Sequence, residues 1–546
     1  MQATNIFGSD CGEAAFEVVN RSIQLRELYC AGETGEFWLA NKYSYSNSQT
    51  KIKMDGSLSR SIMETAGVKQ GNSKSSDHYK IYVNPLLNMV DSSLLGVWIG
   101  PVNIAQSACA DDEYLITDSQ SKLQVLLDLA EHYGRLYDVT YGAAKTKITV
   151  VGSKIDQDYY KDLSPWRLGG QTVNVSENNE HLGQIVSGVD QEQKNVDLKI
   201  KKARNALFGL LGPAFQHKCL LSQSLKYHLF KTYVAPILRS GLSSFSLGPK
   251  HLHTLNIFHR KVLRGILNFS RSSNIPALYF LLGELPIEAQ IHKDVFSLYY
   301  SVWTNPNSKI FQIVRYLLEN ATSNSRTWSN HIRYLSKLYQ MPEPVQQLDS
   351  EPPSKSTFKE FVQTKISAYY EKHLREMAAS NSQMKYFNVS LLSLRGKCHP
   401  ALNNIITSHD VRKSRPHLKM LSGDYLTCQT KANRSGGSPF CKLCSDSTLP
   451  EKDICHILVS CSAYTDIRSR IIKEYESLLQ KSQPHFRFEK IADHDESLCQ
   501  FILDPSSLNL SERIHMNEPI LKELFKLARD MCFSINTRRS ELMQKL

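Results

Sequence analysis

Along residues 50–190 the spacing of apolar positions changes repeatedly, and each change predicts a different element. KIYVNPLLNMV (Lys80–Val90) is apolar enough and long enough for a buried helix. In NIAQSACADDEYLIT (Asn103–Thr117) apolar residues flank an acidic pair on both sides, which reads as strand, turn, strand. SKLQVLLDLAEHYGRLYD (Ser121–Asp138) sets Leu123, Leu126, Leu127, Leu129 and Tyr133 at helical spacing. KTKITVVGS (Lys145–Ser153) reads as a strand closed by Gly152, and VNVSENNEHLGQIVSG (Val173–Gly188) as a strand pair joined at Glu177–Asn179. Strands alternating with helices around an acidic hairpin imply an α+β sheet with helices on one face.

From about residue 191 the period becomes helical. NVDLKIKKARNALFGLLG aligns Val196, Ile200, Ala203, Leu207 and Leu210 in one stripe, with Lys199, Lys202 and Arg204 elsewhere. KHLHTLNIFHRKVLRGILNF repeats the arrangement, with Leu252, Leu255, Phe258, Val262 and Ile266 in the stripe and Arg260, Lys261 and Arg264 beside it. The aromatics Phe215, Tyr227, Phe230 and Tyr233 read as core, and the histidines of His251–His253 as surface. Helices follow in IPALYFLLGELPIEAQIHKDVFSLYYSVW, at 358–380 and in the tail EPILKELFKLARDMCFSINTRRSELMQ, whereas Met341–Thr357 reads as a Pro- and Ser-rich linker.

Composition narrows the class. At 546 residues, 41% hydrophobic and 22% charged, the chain can bury several cores. No apolar run reaches the ~18 residues of a membrane span. The N-terminus lacks a basic region followed by an apolar core, so no secretory signal is read there. Twelve cysteines, scattered but for one cluster, fit a reducing, intracellular setting, nuclear or cytoplasmic. Charge is uneven. Between Lys194 and Arg271 fourteen Lys and Arg face a single acid, Asp197, so this segment holds essentially the whole net charge of +12. Such a segment attracts a polyanion, nucleic acid first, although a solvated basic helix face has the same composition.

Four stretches in order carry a resemblance: GVKQGNSKSSDHYKIYVNPLL (Gly67–Leu87), CADDEYLIT (Cys109–Thr117), YGAAKTKITVVGS (Tyr141–Ser153) and EHLGQIVSG (Glu180–Gly188). Their order and spacing are similar to the palm motifs of reverse transcriptases of non-LTR, LINE-type retrotransposons. The resemblance implies a polymerase palm, with the basic helices after Lys194 as its thumb. It implies Mg²⁺ held by carboxylates, because two-metal nucleotidyl transfer needs hard oxygen ligands. Asp111 would be the metal ligand and Asp112 its neighbour; Gln70 and Gly71 would line the nucleotide and template pocket; Lys145 would sit near the incoming phosphates; Leu182 and Gly183 would form the primer grip. Lys199, Lys202, Arg204, Arg260, Lys261 and Arg264 would contact nucleic acid.

The chain departs from the family pattern at the first motif. Its Ala15-Phe16 pair puts Cys11 where an Asp belongs, and Asp10 is one position away. On a strand such a shift changes the face, so Asp10 serves as the third carboxylate only if a bulge realigns it. Glu17 replaces the second acid of that motif, and Ser75-Ser76 replaces a Ser-Pro. Fingers and an endonuclease domain are expected upstream, so the chain reads as the C-terminal part of a longer polyprotein.

A second constellation is CKLCSDSTLPEKDICHILVSC (Cys441–Cys461). Cys441, Cys444, His456 and Cys461 form a C-x2-C-x11-H-x4-C set, a donor combination suited to tetrahedral, structural Zn²⁺. Gly436, Gly437 and Pro450 supply turns; Cys455 should point away, and Cys428 is too remote. LINE-type proteins have a similar module after an L-[TS]-G-x-Y segment, here Leu421–Tyr425.

The expected fold class is therefore α+β: a polymerase palm with a helical thumb, then helical segments and a small zinc-binding module. The expected organisation is a palm at 1–190, a basic thumb at 191–275, a helical connection at 276–400 with a linker near 341–357, a CCHC module at 401–470 and a helical tail at 471–546. Two functions follow: an RNA-directed DNA polymerase using an RNA template, a DNA primer and dNTPs, or an inactive remnant that only binds nucleic acid.

Overall fold

The structure, a computed structural model, describes residues 5–11, 16–68, 74–109, 112–152, 158–159, 166–215, 221–320, 322, 326–390, 392–444, 451, 453–482, 488, 491, 494–507 and 518–545. The chain divides into two compact units, residues 1–195 with 302–329 and residues 196–301 with 330–546.

The first unit mixes helix and strand. In chain order it contains β1 (Asn5–Cys11), α1 (Arg21–Cys30), α2 (Gly35–Ser46), α3 (Ser75–Ser92), β2 (Gln106–Cys109), β3 (Asp112–Thr117), α4 (Gln120–Tyr137), β4 (Lys147–Val151), β5 (Asn174–Val175), β6 (Asn178–His181) and β7 (Gln184–Ser187). Five of these form one sheet in the order β5-β4-β1-β3-β2. The sequence-distant β1 lies between β3 and β4 and is antiparallel to both. Its pairing with β3 runs without interruption from Ile6 opposite Thr117 to Cys11 opposite Asp112.

Helices α3 and α4 cover the sheet through Leu86 and Val90, and through Leu123, Leu126, Leu127 and Tyr133, packed on Leu115, Ile148 and Val150. The helical spacing read from the sequence is what places these side chains on one stripe. Ser119 begins α4 by accepting the Lys122 amide at 3.4 Å, and Asp138 ends it in the left-handed conformation. Helix Lys309–Asn320 belongs to this unit; Lys309 pairs with Asp91 at 2.8 Å, and Tyr316 lies against Gly100, where a Cβ would meet its ring at 2.6 Å.

One expected turn moves. The strand pair near residue 180 is joined at Leu182-Gly183, not at Glu177–Asn179. Both turn residues have positive φ, 47° and 75°, the two-residue geometry that matches the twist of a hairpin. Asn195 then clamps the hairpin, its amide donating to the Ile185 carbonyl at 2.7 Å and accepting the Ile185 amide at 2.8 Å.

The second unit is helical. Helix α5 (Gln191–Phe215) leads into it, followed among others by α6 (Pro249–Leu267), α7 (Ile275–Leu282), Ile287–Trp303, Lys355–Ala379, α8 (Ser408–Leu421), α9 (Cys428–Ser435), Thr465–Ser482 and α10 (Glu518–Gln544). Every residue of α7 from Pro276 to Leu282 is buried, as an all-apolar helix requires. The terminal helix α10 packs on α8 and on Thr465–Ser482. Within the linker expected at 341–357, residues 349–354 are non-helical and mostly exposed, and the part before them is a short helix. Pro344 starts a short helix to Leu348, which is buried, and Tyr299 donates to the Pro344 carbonyl at 2.8 Å. Among the described residues no helix is long and apolar enough to cross a membrane.

Candidate functional site

The Cys/His cluster is assembled by a tight turn and a knuckle. Helix α9 ends at Gly436, whose φ of 76° a side chain would resist, and the chain turns into Cys441 and Cys444. His456 opens a π-turn over His456–Ser460, and the Cys461 amide donates to the His456 carbonyl at 2.7 Å, folding the fourth residue back on the third. The donor atoms of Cys441, Cys444, His456 and Cys461 all lie within 4.8 Å of one another. Cys444 Sγ is 3.3 Å from His456 Nε2 and 3.4 Å from Cys461 Sγ, and Cys441 Sγ is 4.0 Å from Cys461 Sγ. Thiolates about 2.3 Å from a tetrahedral zinc stand about 3.8 Å apart, so these edges fit a single ion. The group could hold a metal ion.

Its surroundings suit that use. Burial holds the His456 imidazole below its usual pKa, keeping it neutral as a ligand must be. Arg468 donates to the carbonyls of Leu458 (3.0 Å) and Cys461 (2.5 Å), bracing the turn. Cys455 points away, its thiol on the Asp495 carbonyl at 3.4 Å. Pro450 lies outside the described residues. Beside the cluster Glu451 is wholly buried; it accepts the Cys428 amide at 2.8 Å and both terminal nitrogens of Arg539, at 2.8 and 2.6 Å. This pair ties the loop before His456 to α10.

The acidic strand, β3, lies between β1 and the edge strand β2 in the first unit's sheet. Asp112 begins β3 and is partly buried; Asp111, Gln70 and Gly71 lie outside the described residues. In register Cys11 stands opposite Asp112, and Asp10 opposite Glu113, with no bulge in between. Tyr114, two residues along from Asp112, sets its ring 4.2 Å from that of His181, tilted by 53°, and accepts the Asn179 amide at 3.1 Å. The β6–β7 hairpin, with Leu182 and Gly183 at its tip, thus packs beside the acidic strand. Burial lowers the His181 pKa, with the Asp112 charge opposing it. Lys145 is exposed in the turn before β4, its amide donating to the Gly142 carbonyl at 2.9 Å.

The basic helices are less available than their composition suggests. Lys199 is 4% exposed and donates to Ser240 Oγ at 3.0 Å, so it is not a surface cation. The reason is legible: position 199 falls three after Val196 and four before Ala203, on the buried stripe itself. Arg264 is spent on the Ser273 hydroxyl (3.1 Å) and carbonyl (3.2 Å), and Arg260 reaches Tyr279 Oη at 3.4 Å. Arg204 and Lys261 are exposed, and Lys202 is half-buried. Leu210, placed on the apolar stripe, is 44% exposed, and Tyr233, read as core, is 56% exposed, while Tyr227 and Phe230 are buried. Nothing in the local pattern marked His181, Asn179 or Arg539, which acquire partners only through pairings 65 residues or more apart.

No protein-family model matches the chain, and no curated protein matches it.

Proposed function

We propose that this chain carries the palm and thumb of a template-directed nucleotidyl transferase of the reverse-transcriptase type, followed by a zinc-stabilised module that binds nucleic acid. The observation that supports it most is the sheet order. Segments 100 or more residues apart become adjacent strands, with β1 between the acidic hairpin and the strand after Lys145, over two helices. A catalytic carboxylate pair needs that kind of rigid, strand-borne presentation. On this reading Asp111 and Asp112 would hold Mg²⁺, which supplies Lewis-acid activation of a primer hydroxyl and charge neutralisation at the leaving pyrophosphate. Cys441, Cys444, His456 and Cys461 would hold Zn²⁺ as a structural ion, because three sulfurs and one imidazole leave no open position.

A second reading has its own support. Cys11, a poor Mg²⁺ ligand, stands opposite Asp112, and Asp10 is out of register with it. A chain lacking the third carboxylate would bind primer–template without extending it. Primer extension on an RNA template with Mg²⁺ separates the two. Incorporation abolished by Asp111→Asn supports the polymerase; retained binding with no incorporation in Mg²⁺ or Mn²⁺ leaves a binding protein; absence of both refutes the proposal.

A further inference from the structure

The second unit contains a cavity of about 280 Å³ lined by Lys231, Arg239, Lys293 and Arg395 together with Glu284 and Gln363. A pocket of about 480 Å³ adjoins it, sharing Arg239, Lys293 and Gln363. We infer that this cavity is a phosphate-binding site, in which Lys293, Arg239 and Lys231 hold a phosphate group that is either free or part of a nucleic-acid backbone.

Four cations around one small space repel one another unless something offsets them. The acids near it offset little. Glu284 is buried and already engaged, Tyr227 Oη donating to one carboxyl oxygen and Gln290 Nε2 to the other. Burial raises its pKa to about 8, so near neutral pH it is largely uncharged. Asp294 meets Arg239 at 3.4 Å, and Glu360 lines the adjoining pocket only. Among the described residues Lys231, Lys293 and Arg395 form no salt bridge. Arg239 Nε is fully buried and has no hydrogen-bond partner among the described residues, an orphan donor on a group that is always charged. Lys293 sits largely buried, its pKa held down by desolvation and then by Arg239.

The local fold holds the cations in place. Lys231 lies on a π-turn, Phe230–Val234, and such single-turn distortions accompany functional sites. At about 280 Å³ the cavity has room for a phosphate together with several waters of hydration. A tetrahedral oxyanion offers acceptors in several directions, matching an Arg fork and two lysines better than a planar carboxylate does.

The inference does not depend on polymerase activity, and its test is binding alone. The thermal midpoint of the full chain is followed during titration with pyrophosphate, with sodium acetate at matched ionic strength as the reference. A labelled 12-mer oligothymidylate is titrated in parallel. Pyrophosphate is expected to raise the midpoint where acetate does not, with apparent affinity at least tenfold weaker in Lys293→Gln and unchanged in Lys473→Gln, an exposed lysine on another helix. Lys231→Gln alters an exposed side chain, so it reports on binding even if the Lys293 variant folds poorly. Binding of pyrophosphate without any effect on the 12-mer assigns a free phosphate; loss of 12-mer affinity in both variants assigns a backbone phosphate. If neither variant changes the affinity for either probe, the site does not exist.

Discussion

The buried pair Glu451–Arg539 makes the sharpest stability prediction. Glu451 is 0% exposed and Arg539 6%, and the carboxylate accepts three charge-assisted or backbone hydrogen bonds between 2.6 and 2.8 Å. Glu451→Gln keeps the shape but removes the countercharge, leaving a guanidinium buried and unmatched. Removing one partner of a buried pair costs about 3–5 kcal/mol. The loss should be local, because the pair joins the segment before His456 to α10. Hydrogen exchange of the Cys428 amide, which donates to Glu451, should therefore accelerate at least a hundredfold, since about 1.4 kcal/mol corresponds to tenfold. Removing both charges in Glu451→Gln/Arg539→Met should recover more than half of the loss, because no uncompensated charge remains. The Glu451 carboxyl is held below its usual pKa, with the Arg539 hydrogen bonds overcoming desolvation. The sign follows: the stabilisation is complete above about pH 4.5 and is lost as pH falls through the lower folded value. Acceleration of less than about fivefold in Glu451→Gln would refute the reasoning.

Native mass spectrometry of the full chain should show one Zn²⁺, absent in Cys441→Ser and in Cys461→Ser; a wild-type protein that takes up no zinc contradicts the assignment. His259 is fully buried, neither ring nitrogen has a hydrogen-bond partner among the described residues, and its pKa is lowered to about 3. His292 is lowered to about 3 and His331 and His417 to about 4, so stability should fall as pH drops from about 6.5 toward these values. Each contributes about 1.4 kcal/mol per pH unit, and His259→Phe should remove one proton from that dependence; an unchanged slope counts against it. Leu182 occupies a left-handed position at 58% exposure, where Asn, whose short polar side chain can hydrogen-bond locally, fits better than Leu. Leu182→Asn should stabilise the β6–β7 hairpin by about 1 kcal/mol, read as slower exchange of the Ile185 amide; faster exchange would mean the turn has a different geometry.

How much was legible depended on whether the information was local. Helical spacing foretold α4 down to its buried leucines, and the tail EPILKELFKLARDMCFSINTRRSELMQ is one helix, α10, over that same span. The C-x2-C-x11-H-x4-C spacing picked out the four residues whose donor atoms converge, because soft ligands so close in sequence need only one turn to meet. Turn position was missed at Leu182-Gly183, since a leucine in a left-handed conformation is not what turn chemistry leads one to expect.

Charge was legible as a count but not as a surface. Fourteen basic residues between Lys194 and Arg271 were visible in the sequence, yet only the packing buried Lys199, spent Arg264 on Ser273 and drew Lys231, Arg239 and Lys293 around one cavity. Sequence by itself determined the main helices and the four candidate metal ligands, because periodicity and short spacings act through neighbours along the chain. Tertiary structure alone decided that Cys11 rather than Asp10 stands opposite Asp112, that Tyr114 meets His181, and that Arg539 reaches Glu451 across 88 residues. Register and long-range burial depend on where distant segments come to rest, and no local pattern encodes that.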